Sequence, residues 1–261
     1  MNCLIETALL THGLRSIANE ELAQSWHCPD AILAWVDGGE LKLGPIGEYL
    51  PFRERSEELI RIDCDHLEEA LQTGASGALT ASGTMAVCRR LDIPMAITCG
   101  MGGIGDLRGE ELCPDLPALM NIPVALISTS PKDMLDRPAT LDWLRRHGVH
   151  TAGEPCTGYL FCGESVALEL PLSSCNNEAV VRRLTANGGL LLLNPIPEKE
   201  RVQDQSILVD AIKAGKQAEA EGHYYHPAAN GEIDRRTDGY SSRIQLESIQ
   251  QNYLLAKSIM D

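Results

Sequence analysis

The segment Pro123-Val-Ala-Leu-Ile-Ser-Thr-Ser-Pro-Lys132-Asp leads a run of apolar residues into a turn at Pro131. It predicts a buried strand, followed by a helix that begins near Asp136. Ligands of open α/β sheets bind beyond the carboxyl ends of the strands. A desolvated amine at such a place, here Lys132, can lose its proton near neutral pH and attack a carbonyl or anomeric carbon. A solvated loop lysine is the alternative that this segment alone leaves open.

The same alternation of strand and helix continues on both sides of this segment. Residues 6–11, 94–98 and 189–193 have the composition of strands, and residues 80–91, 136–146, 178–186, 206–219 and 243–260 that of helices. Residues 223–242 are polar and predict an irregular loop over a surface. Short apolar strands separated by helices predict the α/β class, with a mainly parallel sheet covered on both faces. Asp37-Gly38-Gly39 adds a small antiparallel hairpin. We find no linker, which predicts one domain over residues 1–261.

Composition excludes some classes of partner. The formal net charge is −15 and no run of Lys or Arg is visible, which argues against nucleic acid and anionic membranes. The longest apolar runs are far shorter than a membrane span. The nine cysteines are odd in number, none is in a Cys-x-x-Cys pair, and the chain begins without a secretory signal. These features predict a reduced, cytoplasmic protein.

Three further segments are candidates for chemistry. The glycine-rich residues 100–105 follow a strand, where a phosphate-binding turn is found, although glycines also serve turns with positive φ. Glu110, Glu111 and Asp115 form an acidic group that suits a hard metal ion or acid/base chemistry, or merely a helix start. Glu6 opens an apolar segment, and a carboxylate buried there needs a partner.

Taken together, these segments resemble pseudouridine-5'-phosphate glycosidases. The similarity in order and spacing runs from Glu6 to near Ile259. The motifs that carry it are Thr7-Ala-Leu-Leu-Thr-His12-Gly13-Leu after Glu6, Gly77-Ala-Leu-Thr-Ala-Ser-Gly-Thr-Met85, Ser130-Pro-Lys132-Asp-Met-Leu-Asp136, Gly188-Gly-Leu-Leu-Leu-Leu-Asn194-Pro-Ile-Pro-Glu198 and Ser242-Arg-Ile-Gln-Leu246.

The resemblance implies a three-layer α/β/α fold, a homotrimer and a bound divalent metal, usually Mn²⁺. It also implies an enzyme that reversibly cleaves the C–C glycosidic bond of pseudouridine 5'-phosphate, giving uracil and ribose 5-phosphate. The partner is then a small molecule, a C-nucleoside or its phosphate. A C–C bond to the anomeric carbon offers no basic leaving nitrogen, which explains the need for an amine that forms an iminium-type adduct.

Matching motifs assign roles to individual residues. Lys132 is implied as the nucleophile, Glu6 as the proton donor and Asp115 as an acid/base or positioning group beside the sugar. Glu111 is at the position of the metal-ligating aspartate. The implied substrate-binding residues are Arg61, Ala81, Thr98, Cys113, Pro114, Asn194 and Arg243.

Several positions depart from the family pattern. Arg61 replaces a lysine that contacts phosphate, Cys113 replaces a serine, and Arg243 replaces an asparagine. The loop that begins at Gly103 is shorter, has no histidine and gains Asp106. Three hypotheses follow: a glycosidase with a remodelled phosphate site, a divergent C-glycosidase or C-glycosynthase for another base or sugar, and a non-catalytic sugar-phosphate binder.

Overall fold

The computed structural model describes residues 1–105, 113–186, 188–222 and 225–260. The strands of the described residues are β1 (Cys3–Ile5), β2 (Leu33–Asp37), β3 (Glu40–Gly44), β4 (Ile60–Ile62), β5 (Gly77–Leu79), β6 (Met95–Ile97), β7 (Gly100–Met101), β8 (Ile104–Gly105), β9 (Ala125–Ser128), β10 (Ser130–Pro131), β11 (Leu135–Asp136), β12 (His150–Gly153) and β13 (Leu190–Leu193).

The α-helices are α1 (Asn19–Ser25), α2 (Ile46–Arg53), α3 (Leu67–Thr73), α4 (Ala81–Arg90), α5 (Asp115–Asn121), α6 (Arg137–Arg146), α7 (Glu178–Thr185), α8 (Gln205–Ala220), α9 (Tyr225–Arg236) and α10 (Tyr240–Met260). A π-helix spans Leu9–Gly13, and short 3₁₀ turns span Leu172–Ser174 and Glu198–Glu200. Within the described ranges, none of these helices combines the length and the apolar character needed to cross a bilayer.

The main sheet has the strand order β12-β13-β9-β6-β1-β2-β5-β4, with β3 added beside β2. Strands β12 to β2 along this order are parallel, while β2 pairs in antiparallel fashion with both β3 and β5. The predicted α/β class, with a mainly parallel sheet and an antiparallel hairpin at Asp37-Gly38-Gly39, is therefore confirmed.

Alternate residues of the central strands pack on opposite faces of the sheet. Ile5, Ile97 and Ile127 belong to one apolar cluster, which includes residues of α10. Leu4, Ala96 and Leu126 belong to the other cluster, which includes residues of α4, α5 and α6. Helices thus cover both faces, which is why the strands consist almost entirely of apolar residues.

Side chains fix where the helices begin. Thr80 Oγ1 accepts a hydrogen bond from Gly83 N at 3.3 Å and starts α4, while Asp136 Oδ1 accepts one from Ala139 N at 2.9 Å and starts α6. Each satisfies a backbone donor that the helix itself cannot pair. The sequence-based boundaries of both helices are correct to within one residue.

Two sequence-based assignments are wrong. Residues 6–11 are not a strand, because β1 ends at Ile5 and the chain turns into the π-helix. Thr7 stabilises this turn, since its hydroxyl donates to Ala34 O at 2.8 Å and accepts from Leu79 N at 3.0 Å. The predicted loop over residues 223–242 contains α9 and the start of α10. Three buried residues of α9 at helical spacing, Tyr225, Ala229 and Ile233, hold it against the core.

The buried guanidinium of Arg53 holds the segment that follows Glu6. Its Nε donates to Leu10 O at 2.6 Å, and its Nη2 donates to Leu14 O at 2.9 Å and to Ile17 O at 2.7 Å. Asn19 Oδ1 accepts from Nη1. One cation on α2 therefore satisfies three backbone carbonyls around the π-helix.

Arg53→Met should lower the free energy of unfolding by about 2–4 kcal/mol, because it leaves these buried carbonyls without donors. The matched control is Arg55→Met, two residues after the end of α2, where an exposed guanidinium pairs with Asp37 Oδ1 at 2.8 Å. It should cost less than about 1 kcal/mol. Urea unfolding of both variants measures the difference, and equal losses would contradict the assigned role of Arg53.

Candidate active site

A cavity of about 150 Å³ lies at the carboxyl ends of β1, β6 and β9. The side chains that line it come from distant parts of the chain, because parallel strands end at one edge of the sheet. They are Glu6, Ala8, Leu9, Arg61, Asp63, Thr80, Ala81, Ser82, Cys113, Pro114, Asp115, Lys132, Tyr159, His226, Asn230 and Gln245, together with Gly13, Gly100 and Gly102.

Glu6 is the first residue after β1, and its side chain is almost fully buried. Its Oε1 accepts a hydrogen bond from Thr98 Oγ1 at 2.8 Å, and Thr98 is the first residue after the neighbouring β6. Burial raises the pKa of Glu6 from 4.5 to about 7, outweighing the lowering by the Thr98 hydrogen bond and by the positive charge of Lys132. Glu6 can therefore carry a proton near neutral pH.

Asp115 is held in one orientation at the start of α5. Its Oδ1 accepts a hydrogen bond from Ser82 N at 3.1 Å, and its Oδ2 accepts one from Gly102 N at 2.8 Å. A side chain at Gly102 would collide with Cys113, so glycine is required for this close approach. Both carboxylate oxygens keep further lone pairs for a ligand.

Lys132 follows the short strand β10, which pairs with β7 beside the cavity. Its backbone N donates to Met101 O at 3.2 Å, which fixes the base of the side chain. The side chain is half-buried and lines the cavity together with Glu6 and Asp115. The structure thus brings the three predicted catalytic residues together, at the strand exit where the sequence places the lysine.

The next residue, Asp133, anchors one wall of the cavity. Its carboxylate accepts hydrogen bonds from the backbone N of Tyr159, Leu160 and Phe161, at 2.8, 2.7 and 3.0 Å. Arg137 Nη1 contacts the same group at 3.1 Å. The Tyr159 ring, held in this way, lies against Gly100 and lines the cavity.

Five of the seven predicted substrate-binding residues are in or beside the cavity. Arg61, Ala81, Cys113 and Pro114 line it, and Thr98 lies next to it through its bond to Glu6. Burial and the neighbouring Asp115 raise the pKa of Cys113 to about 12, so its thiol stays protonated and is not a nucleophile.

Two predicted substrate-binding residues are elsewhere. Asn194 Nδ2 donates to Asn252 Oδ1 at 3.0 Å, outside the cavity lining. Arg243 points away as well, since it pairs with Glu21 at 3.4 Å and its side chain is 55% exposed. Residues two apart on a helix face nearly opposite directions, so Gln245 faces the cavity instead. Its Oε1 accepts a hydrogen bond from Tyr159 Oη at 3.0 Å.

Sequence analysis also missed His226 and Asn230, which line the cavity from α9. They are four residues apart and so share one face of the helix. The signal was present in the sequence, because Tyr225, Ala229 and Ile233 repeat at helical spacing and Pro227 suits a first helical turn.

A larger cleft of about 1790 Å³ shares Arg61, Asp63 and Pro114 with the cavity. His12, from the first motif of the chain, lines this cleft. Burial, then the charge of Arg61, lowers the pKa of His12 to about 4, so its imidazole is neutral.

The predicted metal ligand Glu111 lies outside the described residues, as do Asp106, Arg108 and Glu110. Among the residues that are described, no group of three or more His, Cys, Asp or Glu side chains could hold a metal ion. A Mn²⁺ site therefore stays a prediction.

Comparison with known proteins gives one family for almost the whole chain. Residues 4–260 match the family of indigoidine synthase A-like proteins. A pseudouridine-5'-phosphate glycosidase of Methylobacterium nodulans is 26% identical, covering 98% of this chain and 81% of the relative. One from Caldanaerobacter subterraneus is 27% identical, covering 95% and 87%.

Two solved structures share the fold. A prealnumycin C-glycosynthase in complex with ribulose 5-phosphate has a TM-score of 0.78 at 22% identity, covering 98% of this chain and 91% of the other. An indigoidine synthase A-like protein from Thermotoga maritima has a TM-score of 0.77 at 20% identity, with the same coverage.

The raised pKa of Glu6 predicts a pH-dependent contribution to stability. The folded protein favours protonated Glu6. The free energy of unfolding of the wild type, relative to that of Glu6→Gln, is therefore highest below pH 4.5 and falls as the pH rises to about 7. The difference in unfolding free energy between the two proteins should therefore fall across this window, by up to about 3 kcal/mol. Urea unfolding from pH 4.5 to 8 measures it, and a flat difference would refute the raised pKa.

Proposed function

Because the chain belongs to the family of indigoidine synthase A-like proteins, we propose that it reversibly cleaves and forms a C–C glycosidic bond. The proposed substrate is pseudouridine 5'-phosphate, with uracil and ribose 5-phosphate as products, as the names of its relatives suggest. The observation that carries the proposal is the meeting of an amine, a protonatable buried acid and an oriented carboxylate, Lys132, Glu6 and Asp115, in one cavity.

The first step opens the sugar ring. The neutral amine of Lys132 attacks C1' and forms a C–N bond while the bond from C1' to the ring oxygen breaks. The ring oxygen takes a proton from Glu6, whose buried carboxyl carries one near neutral pH. The attacking nitrogen passes a proton to the carboxylate of Asp115, which leaves a secondary amine attached to C1' and a carboxylate at Glu6.

The second step breaks the C–C bond. The nitrogen lone pair forms a double bond to C1', and the bonding electrons pass to the carbon of the base, which takes the proton held by Asp115. Water hydrolyses the iminium that remains on Lys132 to the sugar phosphate and the free amine, and the proton released restores the carboxyl of Glu6. Run backwards, the same steps join a base to ribose 5-phosphate. Asp115, fixed by two backbone N–H groups, suits a role in orienting a sugar hydroxyl or in moving a proton.

Charge at the cavity supports an anionic substrate. Burial, then the positive charges of Lys132 and of Arg61 on the exposed edge strand β4, lower the pKa of the nearby His226. A sugar with C1' at Lys132 and phosphate at Arg61 would span the cavity between these cations. Arg61 in place of lysine changes the geometry of phosphate contact but keeps its charge.

A bound Mn²⁺ remains part of the proposal through Glu111 alone, and no step above depends on it. The homotrimer and the cytoplasmic location likewise rest on the resemblance and on composition. A divergent C-glycosidase or C-glycosynthase for another base is distinguished from the proposed enzyme by its products. A sugar-phosphate binder is distinguished by the lack of covalent chemistry.

Lys132→Ala should abolish a covalent adduct with ribose 5-phosphate. Wild-type protein treated with ribose 5-phosphate and borohydride should gain the mass of the sugar phosphate less one oxygen atom, on the peptide that contains Lys132. Formation of a C-linked nucleotide from uracil should fall by about 10³-fold or more in the variant. Intact-protein and peptide mass spectrometry measure both.

The matched control is Lys132→Arg, which keeps the positive charge but cannot form an imine. It should fold and show no adduct, which separates nucleophilic from electrostatic action. A wild-type protein without adduct would favour the non-catalytic binder. An adduct without consumption of uracil would point to another base.

Metal content tests the role of Glu111. After dialysis against Mn²⁺ and removal of free metal, the wild-type protein should retain about one ion per chain, whereas Glu111→Ala should lose at least tenfold in affinity. Atomic emission spectroscopy measures the metal retained per chain. The control is Glu57→Ala, in an acidic segment that lines the larger cleft. Equal metal content in the two variants would contradict the assignment.

A further inference from the structure

Among the described residues, His226 is one of those with a buried polar atom that has no hydrogen-bond partner, and it lines the cavity. It lies in the first turn of α9, and its Nδ1 is buried without a hydrogen-bond partner among the residues that the structure describes. The side chain lines the cavity together with Lys132 and Arg61, and Asn230 follows it on the same face of the helix. An unpaired buried nitrogen is destabilising, so a ligand group that forms a hydrogen bond with it would be favoured.

The surroundings of His226 determine what that group can be. Burial, then the positive charges of Lys132 and Arg61, lowers the pKa of His226 to about 3, so the ring is neutral in the free protein. Among the other residues that line the cavity, the charged or titratable ones are Glu6, Asp63, Cys113, Asp115 and Tyr159. A neutral imidazole offers one acceptor and one N–H donor, which matches a hydroxyl group.

The positions of Lys132 and Arg61 suggest how a sugar phosphate would be oriented in the cavity. If C1' is at Lys132 and the phosphate at Arg61, the part of the ligand near His226 is the hydroxyl-bearing carbon chain. Ring opening adds to this chain a hydroxyl group that the closed sugar lacks. Asn230 supplies further polar atoms one helical turn away.

We propose that His226 is a specificity-determining residue whose Nδ1 pairs with a hydroxyl group of the open-chain sugar phosphate. This inference rests on the proposed function for the orientation of the ligand. It assigns to α9 the recognition of the sugar, while Arg61 contacts the phosphate and Lys132 the reacting carbon.

The test uses ribitol 5-phosphate, an open-chain sugar phosphate without the aldehyde needed for an adduct. Calorimetry should show binding to wild-type protein and about 10–100-fold weaker binding to His226→Leu. His226→Asn, whose amide can reach the place of Nδ1, should stay within about 5-fold of wild type. Inorganic phosphate alone should bind all three proteins within about 2-fold, because it lacks the carbon chain.

Thermal unfolding gives an independent readout. Replacing an unpaired buried nitrogen with an apolar group should leave the Tm of His226→Leu at or above that of wild type. A lower Tm would mean that Nδ1 has a partner within the protein and would overturn the proposal. So would unchanged binding of ribitol 5-phosphate, no binding to wild type, or an equal loss for inorganic phosphate.

The proposed function fails separately. It fails when wild-type protein forms no borohydride-reducible adduct with ribose 5-phosphate. If binding of ribitol 5-phosphate still depends on His226 in that case, the chain recognises open-chain sugar phosphates without C-glycosidic chemistry.

Discussion

The register of three parallel strands is the constraint on which the rest of the site depends. Ile5 of β1 is level with Ile97 of β6, and Ile97 is level with Ile127 of β9. The chain therefore leaves the three strands in a single row, with Glu6 beside Thr98. A shift of one residue would draw a polar residue such as Glu6 or Thr98 in among the apolar layers and break the hydrogen bond between them, so burial on both faces fixes the register. The position of the acid is thus a consequence of core packing.

Buried polar groups then convert this row into a rigid cavity. Asp115 and Asp133 both accept backbone N–H groups from segments that are distant in the chain, which ties the start of α4, the glycine-rich turn and the segment of Tyr159 to one place. Hydrogen bonds to a buried carboxylate are stronger than those between neutral groups, so these contacts offset the cost of burying the charge. These hydrogen bonds hold the backbone around the reacting side chains in one conformation.

The electrostatics of the cavity divide its groups into two kinds. Burial favours the protonated form of Glu6 and the neutral forms of His12 and His226, whereas Lys132 and Arg61 supply positive charge. A site of this kind can deliver a proton, attract an anion and recognise hydroxyl groups at the same pH. That combination suits a phosphorylated sugar whose ring must open before its bond to carbon can break.

The sequence by itself determined the α/β class, the hairpin, the bounds of α4, α6, α7 and α8 to within one residue, and the placement of Lys132 at a strand exit. These features are local, because periodicity, caps and turn residues act over a few residues. Motif resemblance led to Glu6 and Asp115, which line the cavity with Lys132. Only the tertiary structure decided which side chains face the cavity, because this depends on the rotation of each helix and on packing between distant segments. It placed Gln245 rather than Arg243 at the cavity, moved Asn194 out of it, and brought in His226 from a segment whose polar composition predicts a loop. The direction in which a helix faces is set by its neighbours across the core, and these are separated from it by many residues of sequence.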